Sequence, residues 1–324
     1  MSEPILTISK LSLELSTGLK TIRVLQDVSL NVNHGETVCV VGESGCGKSL
    51  TALSVARLIP SPPARYVSGS IRVTGKEVFD MAPKELRSIR GPIVSYIFQD
   101  PSASMNPVFR VGTQIMESLK LHQPKLATTH EVHRLLAWVG IPSPEQRASA
   151  YPHELSGGML QRVMIAMALA SKPKLLIADE PTTALDVTIQ AQLLALLREL
   201  QIQTGLSILL ITHNLGLLSH IAHRVVVMYA GQVVESGPSA EVLKSPAHPY
   251  TQALIGSVPE LGRSNARLIS IPGTVPNLDQ PRGSCWFQPR CSRALPQCST
   301  DSPVLETTQG TRSLRCFNPV PPTP

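Results

Sequence analysis

The sequence predicts an α/β fold: a mainly parallel sheet with helices on both faces, preceded by an antiparallel β subdomain and followed by a cysteine-rich extension. Three observations predict it. Short apolar, β-branched runs alternate with helical patterns as far as about residue 245. A glycine-rich turn ending in Lys48-Ser49 lies between the first buried run and a helical segment. Near residue 245 the composition changes, with 14 of the 28 prolines in residues 238–324 and four of the six cysteines in 285–316.

The elements follow in order. Alternation of Ile8, Leu11, Leu13 and Leu15, then Val24, Val28 and Leu30, predicts antiparallel strands in the first 30 residues. Buried strands are expected at Thr37–Val41, Ile93–Phe98, Leu175–Ala178, Ser207–Ile211 and Val225–Tyr229. A helix is expected over Ser49–Ile59, and a mostly helical layer over about 100–170. Between the third and fourth buried strands, Ile189, Leu193, Leu196, Leu197 and Leu200 recur at helical spacing over Thr188–Gln203, and Gly205 supplies a stop. Residues 1–245 are read as one domain and 246–324 as the extension; no main motif is repeated.

Composition bounds the function. Hydrophobic residues make up 42% of the 324, so a sizeable core is available and disorder as the main state is excluded. Charged residues are 16%, against about 25% in a typical domain, which points to partner-covered surface. A net charge of +6 is small for this length and gives no argument for nucleic acid. No apolar run reaches the roughly 20 residues that span a bilayer, and MSEPILTISK lacks the pattern of a signal peptide. A cytosolic protein with reduced thiols is expected.

Residues 42–49, GESGCGKS, match G-x-x-x-x-G-K-S/T after a strand and before a helix. Gly42, Gly45 and Gly47 let the backbone curl so that the N–H groups from Glu43, Ser44 and Cys46 through Leu50 face phosphate oxygens. Lys48 adds a mobile cation and Ser49 a hydroxyl for Mg²⁺. The run LLIADE (175–180) delivers two carboxylates to a strand end, where α/β sheets place ligands. Asp179 is read as a Mg²⁺ holder and Glu180 as the general base toward attacking water. The core is that of a P-loop NTPase.

With these motifs the chain resembles the ATP-binding subunits of ABC transporters over roughly residues 5–245. LSGG at 155–158 matches the family signature peptide. The resemblance implies that Ser156, Gly157 and Gly158 bind the γ-phosphate held by an opposite subunit. It also implies that Gln99 touches Mg²⁺ and the attacking water, that Ala184-Leu185-Asp186 crosses a dimer interface, and that His213 contacts the γ-phosphate. Two departures stand out. Met159 follows the signature where Gln is common, which resembles the peptide and nickel importer branch. No Phe, Tyr or Trp precedes Tyr66, so no upstream aromatic stacks on adenine, which leaves aliphatic contacts around Leu19–Ile22 or a partner.

Cys285, Cys291, Cys298 and Cys316 have a spacing that suits a metal without choosing one; the C-x₂₋₄-C pairs of structural zinc are absent. The tail, with HPYTQALI (248–255) and IPGTVPNL (271–278), is similar to the C-terminal region of oligopeptide and dipeptide importer ATPases, which implies a 4Fe–4S cluster on these cysteines. Cys39 reads as strand core and Cys46 as filler in the phosphate loop.

The resemblance implies an ATPase at the cytoplasmic face of the inner membrane that drives uptake of dipeptides or oligopeptides. Its partners would be a second, related ATPase in a heterodimer, two membrane permeases and, indirectly, a substrate-binding protein. A nickel or metal-chelate importer is the nearer rival reading. A non-transport ABC ATPase of DNA repair or translation is the rival of another class; the first needs a long inserted coiled coil and the second two ATPase domains, and neither is visible in the sequence.

Overall fold

The computed structural model describes residues 3–16, 18, 20–183, 185–257, 271–279, 283–307 and 311–321. The chain runs through β1 (Leu6–Ser16), β2 (Thr21–Val32), β3 (Thr37–Val41), α1 (Lys48–Ser54), β4 (Ala64–Val73), β5 (Lys76–Glu77), α2 (Pro83–Ile89), β6 (Val94–Ile97), α3 (Pro101–Ser104), α4 (Val111–His122) and α5 (Thr129–Trp138). It continues through α6 (Pro144–Ala148), α7 (Gly157–Leu169), β7 (Leu175–Asp179), α8 (Val187–Thr204), β8 (Ser207–Ile211), β9 (Arg224–Tyr229), β10 (Gln232–Pro238), α9 (Ser239–Lys244), α10 (Pro249–Gly256), β11 (Glu306–Thr307) and β12 (Ser313–Leu314). These elements form two compact units, one of residues 1–33, 37–79 and 212–324, the other of 34–36 and 80–211.

The first unit carries an antiparallel sheet in the order β2-β1-β4-β5. Of the predicted alternation Ile8, Leu11, Leu13, Val28 and Leu30 are buried, whereas Leu15 and Val24 are half-buried and Leu25 is buried beside Val24, where register shifts break the alternation. Register shifts along β1 and β2 twist the pair. In the same unit β3 lies parallel to β9. All five residues of β3 are buried, which is why it reads as an unbroken apolar run. Beyond β9 the pairing turns antiparallel, through β10 and β12 to β11. The sheet is thus more mixed than the expected parallel one. The cause is local: Ala230 (φ 49°) and Gly231 (φ 78°) form the positive-φ turn that closes a two-residue hairpin, and the last strands of the chain then add to its edge.

The extension packs inside this unit. Glu235 of β10 is fully buried and accepts the backbone N–H groups of Ala247 and His248, both at 2.9 Å, and the guanidinium of Arg312. Tyr229, Tyr250, His248 and Phe287 form one aromatic cluster, with ring centroids 4.6 to 5.9 Å apart.

The second unit holds β6, β7 and β8, paired parallel in that order, and the helices between them. Helix α8 is capped by Asp186, whose carboxylate accepts the Ile189 N–H at 2.9 Å, and stopped by Gly205 in the left-handed conformation. Helices α3 to α7 make up the helical layer expected over 100–170.

The helix after the phosphate loop ends at Ser54, not Ile59. The N–H groups of Val55 and Arg57 turn to carbonyls three residues back, Arg57 is left-handed (φ 49°), and Pro60 follows.

Candidate nucleotide site

The phosphate loop leaves β3 at Gly42 and enters α1 at Lys48. Two glycines are required by close approach. A Cβ on Gly42 would meet the Met228 carbonyl oxygen at 2.2 Å, and one on Gly47 would meet Leu25 Cδ2 at 2.6 Å; Gly47 is also left-handed, at φ 100°. The loop is tied beneath by Gly231, whose N–H donates to the Cys46 carbonyl at 3.0 Å. Lys48 is 5% exposed, and its ammonium donates to the carbonyls of Gly42 (2.8 Å) and Glu43 (3.1 Å). Its charge therefore lies within the mouth of the loop. Ser44 and Gly45 are exposed, while Ser49 and Leu50 are half-buried. Cys46 is buried beside Lys48, and burial raises its thiol pKa, so it is filler here.

Glu43 is held from two sides. Its N–H donates to the Tyr250 hydroxyl at 2.8 Å. Its carboxylate takes two hydrogen bonds from Arg290, at 2.7 and 2.9 Å. Neither partner was anticipated from sequence. Tyr250 lies in the quoted HPYT segment, but the pairing with Arg290 spans 247 positions and leaves no periodic trace.

In the second unit β7 ends at Asp179, half-buried, and Glu180 follows with a left-handed backbone (φ 46°). Such a conformation costs of order 1 kcal/mol in a non-glycine residue and gathers at functional sites. Glu180 N–H donates to the Ile211 carbonyl at 3.0 Å, which fixes the turn. The Glu180 carboxylate accepts from the Thr183 hydroxyl at 3.0 Å and from Gln99 Nε2 at 3.3 Å. Gln99 and Glu180, 81 positions apart, are thereby brought together. Gln190 Nε2 spans the following loop, donating to the carbonyls of Thr182 and Leu185, both at 3.1 Å.

The LSGG peptide opens α7. Ser156 is its N-cap, accepting the Met159 N–H at 3.4 Å, and Ser156 and Gly157 are exposed. A Cβ on Gly158 would stand 3.2 Å from Ile189 Cγ2, so the signature turn packs on the start of α8, just beyond Asp186. Asp186 is exposed and occupied in capping. Ala184 lies outside the described residues. In the first unit His213 is exposed, one residue beyond Thr212, whose hydroxyl accepts the Asn214 N–H at 3.0 Å. Leu19, one of the aliphatic residues considered for adenine, also lies outside the described residues; Thr21 and Ile22 open β2.

The four tail cysteines are free thiols; Cys298 is buried and the others half-buried. Burial raises the pKa of Cys285 and Cys291, and pushes Cys316 up to about 11. The thiols are near enough that charge on Cys285, Cys291 or Cys298 further opposes ionisation of Cys316. The donor set has the softness iron–sulfur chemistry requires. Yet among the described residues no group of three or more His, Cys, Asp or Glu side chains is placed to hold a metal ion. The geometry therefore gives the expected cluster site no support.

Among the described residues no helix is long and apolar enough to cross a membrane. A family model described as ABC transporter matches residues 25–183, and one described as oligopeptide/dipeptide transporter, C-terminal region, matches 234–298. The dipeptide transport ATP-binding protein DppD of Escherichia coli (strain K12) is 46% identical over 98% of this chain and 97% of its own length. Its counterpart of the same name from Bacillus subtilis (strain 168) is 44% identical over 97% and 95%. Among solved structures, a dimeric ATP-binding cassette in a post-hydrolysis state bound to ADP and Pi superposes with a TM-score of 0.64. It covers 72% of this chain and 98% of its own at 24% identity, and so speaks to fold alone. The cbiO1 protein from Clostridium perfringens gives 0.64 at 27% identity, covering 74% and 91%. With the phosphate loop, the carboxylate strand end and the signature turn in place on this fold, the chain belongs to the ABC transporter family, in the branch that carries the oligopeptide/dipeptide transporter C-terminal region.

Proposed function

We propose that this chain is the ATP-hydrolysing subunit that powers uptake of dipeptides or oligopeptides through an ABC importer. The observation that carries the reading is the match to dipeptide transport ATP-binding proteins over nearly the whole chain, extension included. It favours peptides over nickel, and transport over repair or translation.

In this reading residues 42–50 wrap the ATP phosphates, with Lys48 against the β- and γ-phosphates. Ser49, Gln99 and Asp179 are oxygen donors suited to Mg²⁺, a hard cation that neutralises phosphate charge when bound. Glu180 takes the proton of the attacking water while Gln99 orients it, and His213 contacts the γ-phosphate. Ser156, Gly157 and Gly158 serve the nucleotide of a second ATPase subunit, and Asp186 lies at that interface. The second subunit is a related, non-identical ATPase. Exposed Val108 and Phe109, in the helical layer, offer apolar surface to two membrane permeases. A substrate-binding protein delivers peptide without touching this chain. The protein works peripherally, at the cytoplasmic face of the inner membrane.

Deleting the gene and measuring uptake of labelled dipeptide and of nickel tests the reading. Lost peptide uptake with nickel uptake intact is expected; the reverse would overturn it in favour of the metal importer. Purification from membranes should recover two permeases and another ATPase, and recovery of ribosomes or DNA ends would overturn transport.

A 4Fe–4S cluster on Cys285, Cys291, Cys298 and Cys316 is a separate proposal, supported by the resemblance of the tail to the oligopeptide/dipeptide transporter C-terminal region. Anaerobically purified protein should then be brown, and Cys298→Ser should bleach it. A colourless wild type would remove the proposal.

A further inference from the structure

Arg290, far along the extension, is 4% exposed, and the described structure engages its whole guanidinium. Nε donates to the Pro272 carbonyl at 2.8 Å. Nη1 donates to Glu43 Oε2 at 2.7 Å and to the Tyr229 hydroxyl at 3.2 Å. Nη2 donates to Glu43 Oε1 at 2.9 Å and to the Ile271 carbonyl at 3.4 Å. One side chain thus collects the Ile271-Pro272 segment, the last residue of β9 and the second residue of the phosphate loop. The planar fork that meets a carboxylate with two parallel bonds is the strongest pairing Arg makes, and it fixes direction as well as distance. Tyr250, from another part of the extension, fixes the backbone of the same residue.

Glu43 sets an electrostatic problem. It is an acid inside a loop whose backbone receives a polyanion. An unpaired carboxylate there repels phosphate, and at short range in a partly buried setting the repulsion is large. Arg290 cancels that charge and keeps the carboxylate turned toward the extension. We infer that the C-terminal extension is part of the nucleotide site: Arg290 and Tyr250 are positioning residues that hold the phosphate loop open and neutralise Glu43, so that ATP affinity depends on a folded extension. The inference rests on the reading of residues 42–50 as the ATP site. It also gives the four-thiol region a route to that site, since Cys291 follows Arg290 directly and Cys285 is bonded to Cys298 through its backbone N–H at 3.0 Å.

The test is equilibrium binding of ATP with Mg²⁺ to the full-length chain. Lys48→Ala serves as control: if it binds like wild type, residues 42–50 are not the ATP site and the functional reading fails, whatever Arg290 does. With that control lost as expected, Arg290→Met should weaken ATP about tenfold, equivalent to ~1.4 kcal/mol. The double variant Arg290→Met/Glu43→Gln should recover most of that loss, because the carboxylate that needed cancelling is gone. A role confined to holding the extension together predicts no recovery. Wild-type affinity in Arg290→Met, or a double variant as weak as the single, overturns the inference. If Arg290→Met unfolds at working temperature, Glu43→Asp withdraws the carboxylate by one methylene from the loop side. It should lose affinity several-fold with an unchanged melting midpoint, and wild-type affinity there overturns the inference equally.

Discussion

The phosphate loop and the carboxylate strand end are built in different ways. Glu180 meets Gln99 and the Ile211 carbonyl from afar, but the loop that follows it is fixed by contacts near in sequence: Thr183 on the Glu180 carboxylate, Gln190 bridging Thr182 and Leu185, and Asp186 capping the next helix. Around Glu43 they are remote: Tyr250, Arg290 and, beneath Cys46, Gly231. The loop after Glu180 is therefore held largely within one short stretch, whereas residues 43–46 are held from three distant parts of the chain. The contrast teaches that catalytic and binding defects should map to different kinds of mutation, local for the first and scattered for the second.

The largest effect should come from the strand end. Glu180→Gln removes the proposed base and keeps the shape, so ATPase turnover of the assembled transporter should fall about 10³-fold with ATP still bound; single-turnover assays with labelled ATP check this. Turnover within tenfold of wild type would break the division of labour. Lys48→Ala should act on the other half, weakening ATP about 100-fold as two to three charge-assisted contacts to phosphate are lost, read by titration with a fluorescent nucleotide.

A third expectation concerns acid. His248 is buried, with Nδ1 accepting the Tyr250 N–H at 3.0 Å, its own N–H on Glu235 and Phe287 against its ring. Burial depresses its pKa to about 3. The unfolded chain, titrating near 6.5, binds a proton that the native one refuses. The stability tied to His248 is complete above pH 6.5 and is lost as pH falls toward 3, by about 2 kcal/mol between pH 6.5 and 5. Urea midpoints across that range should drop, and His248→Asn, which keeps a capping acceptor, should flatten the slope. The smallest effect sharpens the local side. Gln190→Ala frees two carbonyls of the loop after Glu180 and should cost about 1 kcal/mol of stability. It should lower kcat several-fold while leaving KM for ATP in place.

Much of this molecule was legible in advance, for reasons that differ by region. Buried strands announce themselves: Thr37–Val41 and Ser207–Ile211 form as read, because every residue in them is buried and apolar alternation never interrupts the run. Helix α8 lies within a residue of its expected bounds, since its leucine face and Gly205 act locally. The sequence did not disclose β4, β10 or the small strands of the tail. Their pairing depends on partners far away, and Glu235 on β10 is a buried acid where a buried strand was expected to be apolar. The site divided in the same way. Gln99 and Glu180 could be named from motif order, and they do meet. Arg290 and Tyr250 could not, because an ion pair between distant loops carries no spacing rule. For the four-cysteine tail, the cluster implied by the resemblance finds no metal-holding group among the described residues.

Glu235 has a consequence for how the protein is made. Its counter-charge, Arg312, is synthesised 77 positions after it. Until then a carboxylate destined for a dry interior keeps two backbone donors but has no cation, a costly state that disfavours closing the core. A product stopped short of Arg312 should therefore be a target for proteolysis and not a soluble, idle ATPase, so that quality control acts before a defective subunit can compete for a place in the transporter.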